Sequence, residues 1–385
     1  MRKIKVAQII TRLDWGGSTD IVRYICENLK DKYQIALISG FTKYPTLKTK
    51  EFLENFDGNI IFIPYLRRDI NIFYDILAFV KLYKLFRKEK FDIIHTHTFK
   101  ASFLARLAAF FAKAKIVIYS THGHIFYGYF NRFFSLFIIL IEKFLAYFTS
   151  AIVVSTLLEK EDFIRYKVTN AKKLFVISPF LELQKYKRIE QARKFFNLKK
   201  DEKLVGLISR LEPVKGVFYF LESAKLIINE RIDVKFIIAG EGSLRKKMQE
   251  DIKNSGLEKK FIFLGWQEDI NKLLSCIDVL VVPSLNEAVG LVILEAHILE
   301  VPVVATKVGG ISEITKNNET AILVEPKNPI KIKEAVLKIL TDNDLKNRLI
   351  KNAYLWVNER FLPERFIKDI YFLYEKLLQE NNICI

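Results

Sequence analysis

Two glutamates, Glu287 and Glu295, stand with seven residues between them in the run P-S-L-N-E-A-V-G-L-V-I-L-E-A-H-I-L-E-V-P-V-V-A-T-K-V-G-G, which extends from Pro283 to Gly310. Carboxylates accept hydrogen bonds from hydroxyl groups, so such a pair suits a ligand rich in them, such as a ribose or a hexose. The run D-V-L-V-V at 278–282, apolar after its first residue, predicts a buried strand, and an apolar helical run from about Gly290 to Leu299 follows. A loop that leads from a strand into a helix is where open α/β sheets bind ligands. The free N–H groups of the helix start, Gly290, Leu291 and Val292, suit a phosphate, and Gly290 leaves room for a ligand beside the backbone. The plainer reading makes Glu287 a solvated loop residue and Glu295 an exposed helical one. The apolar neighbours of Glu295 (Leu291 to Leu294 and Ala296) argue against it, because a buried carboxylate requires a partner.

Further candidates lie at other strand-to-helix junctions. In S-R-L-E-P-V-K-G, between a strand at 204–208 and a helix at about 217–229, Arg210 offers a planar fork and Lys215 a point charge. Together they suit a diphosphate whose charge grows as it departs; the plainer reading is two solvated cations. Gly240, Gly242 and the F-I-F-L-G-W run ending at Trp266 close two more junctions. Near the N-terminus, T-R-L-D-W-G-G-S-T-D places Gly16 and Gly17 before a helix that Ser18 or Thr19 can cap. This is a phosphate or sugar cradle or a simple turn, and it lacks the GxGxxG spacing of a dinucleotide site. The loop T-H-G-H-I-F-Y-G-Y-F-N-R (121–132) carries His122, His124 and Tyr127. Its histidines are too close together, and without a third ligand nearby, to make a metal site. His95 and His97, at the end of a strand, are expected to be structural.

The elements that must position these residues alternate. Strands are expected at 4–10, 34–39, 59–63, 92–96, 115–120, 151–154 and 174–177, with helices between them, and the alternation restarts at 204. Such a pattern gives parallel sheets with helices on both faces. The chain has 385 residues, half of them apolar, enough for two domains. Three dispersed cysteines argue against a disulfide framework or zinc site and fit a reducing cytoplasm. The first ten residues read as a strand and not as a signal peptide. Residues 1–184 hold 28 basic and 16 acidic residues, whereas 185–385 hold 33 and 28, so most of the net charge of +17 lies in the N-terminal half. That half is expected to meet an anionic partner: an acidic membrane surface, a phosphorylated acceptor or nucleic acid. The helix expected at 133–148 is apolar, yet too short to span a bilayer, and Glu142-Lys143 interrupts it. Core burial is the expectation for this helix. The aromatic loop before it is kept as an acceptor or lipid contact.

Glu287, Gly290, Leu291, Glu295 and Ala296 together resemble the signature of the retaining glycosyltransferases of family 4, an E-G-F-G-L-x-x-L-E-A run. S-R-L-E-P-V-K-G is similar to that family's G-R-L-x-x-x-K-G, and V-G-G-x-x-E recurs at 308–313. Ala288-Val289, His297, Ile298 and Glu300 depart from the pattern, as does S-P-F-L-E-L (178–183) where an Asn-Gly turn is usual.

The resemblance implies a GT-B fold: two Rossmann-like, doubly wound domains facing a cleft. The expected boundaries are 1–180 for the acceptor-binding domain and 190–360 for the nucleotide-sugar domain, with a last helix at about 363–381 packing back on the first. It implies retaining transfer of a sugar from a nucleotide-diphosphate sugar, UDP-linked by preference, to a glycan or lipid-linked acceptor in surface polysaccharide synthesis. His122 and Glu287 take the catalytic places, with Glu287 on a sugar hydroxyl. Arg210, Lys215, Gly290, Leu291 and Val292 take the diphosphate. Glu295, Gly242 and Trp266 take the ribose or nucleotide, and Gly16, Gly17, His124 and Tyr127 the acceptor. No cofactor and no metal are implied beyond the nucleotide sugar. The expected location is cytoplasmic, peripheral on the inner face of the cell membrane. The alternatives are a catalytically silent GT-B partner or another GT-B enzyme such as a sugar-nucleotide epimerase. Nucleic-acid binding is disfavoured, because the basic residues are dispersed and no helix-turn-helix, zinc or RNP pattern is present.

Overall fold

Short apolar runs bounded by polar loops make strands that can be buried on both faces, and helices between them force those strands to run parallel. The computed structural model describes residues 2–14, 16–42, 45–123, 126–127, 131–199, 202–231 and 233–383. It divides the chain into two units, residues 1–178 with 364–385, and residues 179–363.

In the first unit the strands are β1 (Lys5–Ile10), β2 (Gln34–Ser39), β3 (Asn59–Phe62), β4 (Ile93–His97), β5 (Ile116–Ser120), β6 (Ala151–Val154) and β7 (Leu174–Val176). They form one parallel sheet in the order β3-β2-β1-β4-β5-β6-β7. The order reverses between β1 and β4, which opens a crevice at their C-terminal ends. Thr11 and Thr98, the residues just beyond these two strands, bring their hydroxyls within 3.3 Å there. The last helix, Pro363–Glu380, belongs to this unit apart from its first residue. Its Leu373, Tyr374, Leu377 and Leu378 are buried, and Tyr33 donates to Glu375 at 2.5 Å.

The second unit repeats the plan with β8 (Lys203–Ile208), β9 (Val234–Ala239), β10 (Phe261–Gly265), β11 (Val279–Val282), β12 (Val303–Thr306) and β13 (Ile322–Val324). Their order is β10-β9-β8-β11-β12-β13, again parallel, with the reversal between β8 and β11. The S-P-F-L-E-L segment has a definite place. Leu181 is buried in this unit's core and its N–H donates to the Phe361 carbonyl at 2.9 Å.

Several expectations need correcting. The first helix begins at Gly17 with Gly16 as its N-cap, and no side chain caps it, so Ser18 and Thr19 lie inside it. The segment that leads into β8 holds a single α-helical turn, Ala192–Phe195. Phe126 is not a surface contact: it is buried against the rings of Phe163 and Tyr166, with centroids 4.9 and 5.7 Å away. The helix Arg132–Tyr147 buries only one face. Ile138, Ile139, Leu145 and Ala146 point inward, while Phe133, Phe137, Leu140 and Phe144 stay exposed. Among the described residues no helix is long and apolar enough to cross a membrane.

Candidate functional site

The strand reversal of the second unit brings two loops together, one after β8 and one after β11. Gly216 marks the contact. Its φ of 64° is one that L side chains rarely adopt, and a Cβ on it would lie 1.9 Å from the Pro283 carbonyl oxygen. Beside it, the Leu285 N–H donates to the Val214 carbonyl at 2.8 Å. Each loop feeds a helix, Val217–Glu230 after the first and Leu291–Ile298 after the second. Two helix N-termini with their positive dipole ends therefore flank one crevice. Gly290 caps the second helix at a φ of 80°. The first N–H groups of a helix have no intrahelical acceptor, and here these are Leu291 and Val292.

The structure joins two residues that the sequence keeps 72 positions apart: the Lys215 ammonium pairs with the Glu287 carboxylate. Their side chains are only 12% and 15% exposed, so neither is a solvated loop charge. Glu287 is fixed on every side. Ser284 Oγ donates to the same carboxylate at 3.1 Å, and the Gly310 N–H donates to the Glu287 carbonyl at 3.0 Å. Gly309 lets that approach happen, because a Cβ there would sit 2.0 Å from the Glu287 carbonyl oxygen. Thr306 Oγ1 donates to the Ser284 carbonyl at 2.6 Å and so ties the loop to β12. Arg210, half-buried on the same β8 loop, has no carboxylate partner among the described residues. It is the cation left open to a ligand.

Glu295 receives the partner that its apolar surroundings demand. Tyr186 donates to its Oε1 at 3.2 Å. Sequence reasoning passed over Tyr186, which sits in an irregular segment with no periodic signal. Gly242 serves the fold directly: a Cβ there would come within 2.4 Å of the Leu211 carbonyl oxygen, where the β8 and β9 loops are stitched by Leu211 N–H to Glu241 O at 2.9 Å. Trp266 follows β10 and is 44% exposed.

In the first unit the corresponding crevice is lined from behind by a buried polar chain. Gln8, His95, His97 and Tyr374 are all fully buried. The Gln8 amide nitrogen donates to Tyr374 Oη at 2.7 Å, and its carbonyl oxygen lies 2.8 Å from His97 Nε2. A carbonyl can only accept, so in this amide orientation His97 carries its proton on Nε2 and accepts at Nδ1. His122 Nε2, 2.9 Å away, is then the donor. His95 bridges Tyr374 Oη and Ser120 Oγ, both at 2.7 Å. Burial pushes the His95 imidazole down to about 3 and His122 to about 4. His97 moves the same way, through burial first and then through the two neighbouring histidines. All three are neutral at pH 7, and His122 is presented at the loop with a fixed ring and a backbone φ of 52°. His95 and His97 thus have a structural place, as expected.

Gly16 and Gly17 start the first helix beside this crevice. The Tyr127 hydroxyl is engaged internally, donating to Asp162 Oδ2 at 2.7 Å. His124 lies outside the described residues. Arg210, Lys215, Glu287, Gly290, Leu291 and Val292 thus lie on the two loops and the helix start at the second unit's strand reversal, whereas Gly242 and Trp266 follow β9 and β10; in the first unit Gly16 and Gly17 follow β1, and His122 and Tyr127 follow β5.

Comparison with solved structures defines the fold. The chain superposes on Anabaena HepE, determined with UDP and glucose, with a TM-score of 0.83 over 97% of this chain and all of that one, at 21% identity. It matches sucrose-phosphate synthase from Thermosynechococcus elongatus with a TM-score of 0.82, over 98% of this chain and all of that one, at 20% identity. The fold is GT-B, two Rossmann-like domains. Residues 188–356 match the family described as Glycosyl transferases group 1, and residues 15–185 match Glycosyltransferase Family 4. A UDP-Gal:alpha-D-GlcNAc-diphosphoundecaprenol alpha-1,3-galactosyltransferase of Escherichia coli is 31% identical over 80% of this chain and 82% of its own. The capsular polysaccharide biosynthesis glycosyltransferase CapM of Staphylococcus aureus is 26% identical over 86% and 88%. The chain belongs to the group 1, family 4 glycosyltransferases and is an enzyme that transfers a sugar from a nucleotide sugar.

Proposed function

We propose that the chain is a retaining glycosyltransferase that takes its sugar from a UDP-sugar and delivers it to a lipid-linked glycan in surface polysaccharide synthesis, at the cytoplasmic face of a membrane. One observation carries the reading: the Lys215–Glu287 pair beside Arg210 and the N-terminus of the helix Leu291–Ile298. An incoming diphosphate meets Arg210, the helix N–H groups of Leu291 and Val292, and Lys215. Glu287 accepts from a hydroxyl of the sugar, and Glu295, oriented by Tyr186, from the ribose. The nucleotide then lies against Gly242 and Trp266.

In the reaction the bond from the anomeric carbon to the β-phosphate oxygen breaks, and a bond to the acceptor oxygen forms on the same face. The acceptor proton passes to the leaving phosphate. The charge gathering on that phosphate is stabilised by the two cations and the helix dipole, which supply the positive charge without a metal. In the first unit His122 is a neutral imidazole with a fixed tautomer, suited to a sugar hydroxyl, and the loops around Gly16, Gly17 and Tyr127 receive the acceptor. The E. coli relative, whose name specifies UDP-Gal and a diphosphoundecaprenol-linked acceptor, supports the choice of both substrates.

Calorimetric titration with UDP, GDP and ADP on the wild type and on Glu295→Ala tests the donor assignment. UDP binds the wild type and loses affinity in the variant. Binding of GDP alone moves the donor to another base, and no binding of any nucleotide returns the chain to a silent partner. NMR of the product's anomeric proton tests retention, and an inverted product rejects it.

A further inference from the structure

The helix Arg132–Tyr147 is apolar on both faces, and only one of them is used. Glu142 appears in the sequence to break the apolar run, yet it points inward. Its two oxygens accept from Arg106 at 2.7 and 2.9 Å, both side chains are fully buried, and the guanidinium lies 4.1 Å from the Tyr119 ring centre. The outward stripe is left without an acidic residue. Phe133, Phe137, Leu140, Phe144 and Tyr147 follow one another at helical spacing and are between 55% and 86% exposed.

The surface does not end with this helix. Ring contacts carry it onward: Phe144 to Phe148 at 5.3 Å, Phe148 to Phe110 at 4.8 Å, Phe110 to Phe111 at 5.3 Å, and Phe111 to Phe79 at 5.9 Å. Phe110 and Phe111 close the helix Phe99–Phe111 and are about half exposed. Phe79 belongs to the helix Ile72–Glu89, whose own outward stripe runs Phe73, Ile76, Val80 and then Lys84 and Arg87. Aromatic side chains present roughly 150–250 Å² each, so half-exposed rings in this number make a patch on the order of 600 Å² or more. That reaches or exceeds the largest apolar patch of about 300–600 Å² on an ordinary monomer.

Charge decides what covers it. Residues 72–90, 99–115 and 132–148 hold eleven basic and three acidic residues. All three acids are already paired: Asp75 with Lys100 at 2.8 Å, Glu89 with Lys5 at 3.4 Å, and Glu142 with Arg106. Lys81, Lys84, Arg87 and Lys88 have no carboxylate partner among the described residues and are exposed. A two-fold dimer through this face would set like charge against like. An anionic bilayer takes both components at once, the rings at the level of the acyl boundary and the lysines at the headgroups.

We propose that these three helices form the face by which the enzyme sits on an anionic membrane. The proposal rests on the lipid-linked acceptor above for its purpose, and its test does not. Full-length protein is sedimented with phosphatidylcholine vesicles, with and without phosphatidylglycerol, at low and high salt. It pellets with the anionic vesicles and is released by salt. Phe137→Glu/Leu140→Glu abolishes pelleting, and Lys84→Ala/Lys88→Ala weakens it on the order of thirtyfold. Both variants keep wild-type UDP affinity, so a failed donor assignment and a failed membrane face give different results. The proposal is overturned if wild type stays in the supernatant, or if the glutamate variant pellets like wild type. It is equally overturned if gel filtration shows a wild-type dimer that the glutamate variant splits, which would make the face a contact between copies. Circular dichroism melting confirms that the exposed substitutions leave the fold intact. Should the glutamate variant unfold, the lysine variant decides alone.

Discussion

Three of the five histidines, His95, His97 and His297, are buried to 1% exposure or less, and this makes the fold sensitive to mild acid. Burial holds His95 and His297 at about 3, and His97 moves in the same direction. The unfolded chain has ordinary imidazoles near pKa ~6.5. As pH falls through that value the unfolded state takes up protons and the native state does not, so stability is complete above it. The loss continues until the native pKa is reached. Between about pH 7.5 and about pH 5.5 each such histidine costs about 1.4 kcal/mol. The first unit contains two of them together with His122, which burial holds at about 4, and the second contains one. The expected losses are therefore about 4.1 and about 1.4 kcal/mol, against a typical domain stability of about 5–15 kcal/mol. Carboxylates remain largely ionised across this window and add little to the slope. Hydrogen exchange read by mass spectrometry at several pH values resolves the two units, through peptides covering β1 and β4 and peptides covering β11 and β12. His297→Asn should flatten the pH dependence of the second unit and leave the first unchanged. Opening free energies independent of pH in both units, or an NMR titration placing His95 near its ordinary value, would refute the reasoning.

Arg210→Ala should weaken UDP binding by about 1.5–3 kcal/mol, roughly ten- to 150-fold, with an unchanged melting temperature, because the arginine has no partner among the described residues to abandon. Lys215→Ala should lose similar affinity and also melt lower, since it strips Glu287 of its cation; calorimetry and melting on the two variants separate these outcomes. Glu287→Gln should keep or improve UDP affinity, by releasing Lys215, while abolishing sugar transfer; a proportional loss of both would remove the sugar-hydroxyl role. Glu142→Gln leaves the Arg106 guanidinium buried without its counter-charge and should destabilise the first unit by about 3–5 kcal/mol in urea unfolding.

The alternation of apolar strands and helices was legible because both sheets are parallel and buried on both faces, so each strand is a dense apolar run. The glutamate pair and the Arg210–Lys215 loop were legible because their spacing is local. What escaped is either short or non-local. The helix Leu47–Asn55, the helix Ile270–Cys276 and the edge strand β13 are too brief for periodicity to single them out. The pairing of Lys215 with Glu287 and of Tyr374 with His95 joins loops and helices far apart in the chain. The helix Arg132–Tyr147 misled for a physical reason. Its one acidic residue, Glu142, does not mark the solvent face, because it turns inward to the buried Arg106 while the outward stripe is aromatic and aliphatic.

The ion pair at the heart of the second unit also answers why a carboxylate should sit in a site for a diphosphate. Two cations and two helix N-termini directed at one crevice would repel each other in the empty enzyme. Glu287 relieves part of that repulsion by holding Lys215, and Ser284 and Gly310 keep it in place. On the proposed reading a diphosphate competes for Lys215, and the carboxylate it releases is then free to accept from the sugar attached to that same diphosphate. Nucleotide alone would exchange one partner of Lys215 for another and leave Glu287 without a donor beyond Ser284. The complete donor satisfies both. Discrimination between sugar nucleotide and bare nucleotide thus follows from a residue whose resting partner is the very cation that the substrate requires.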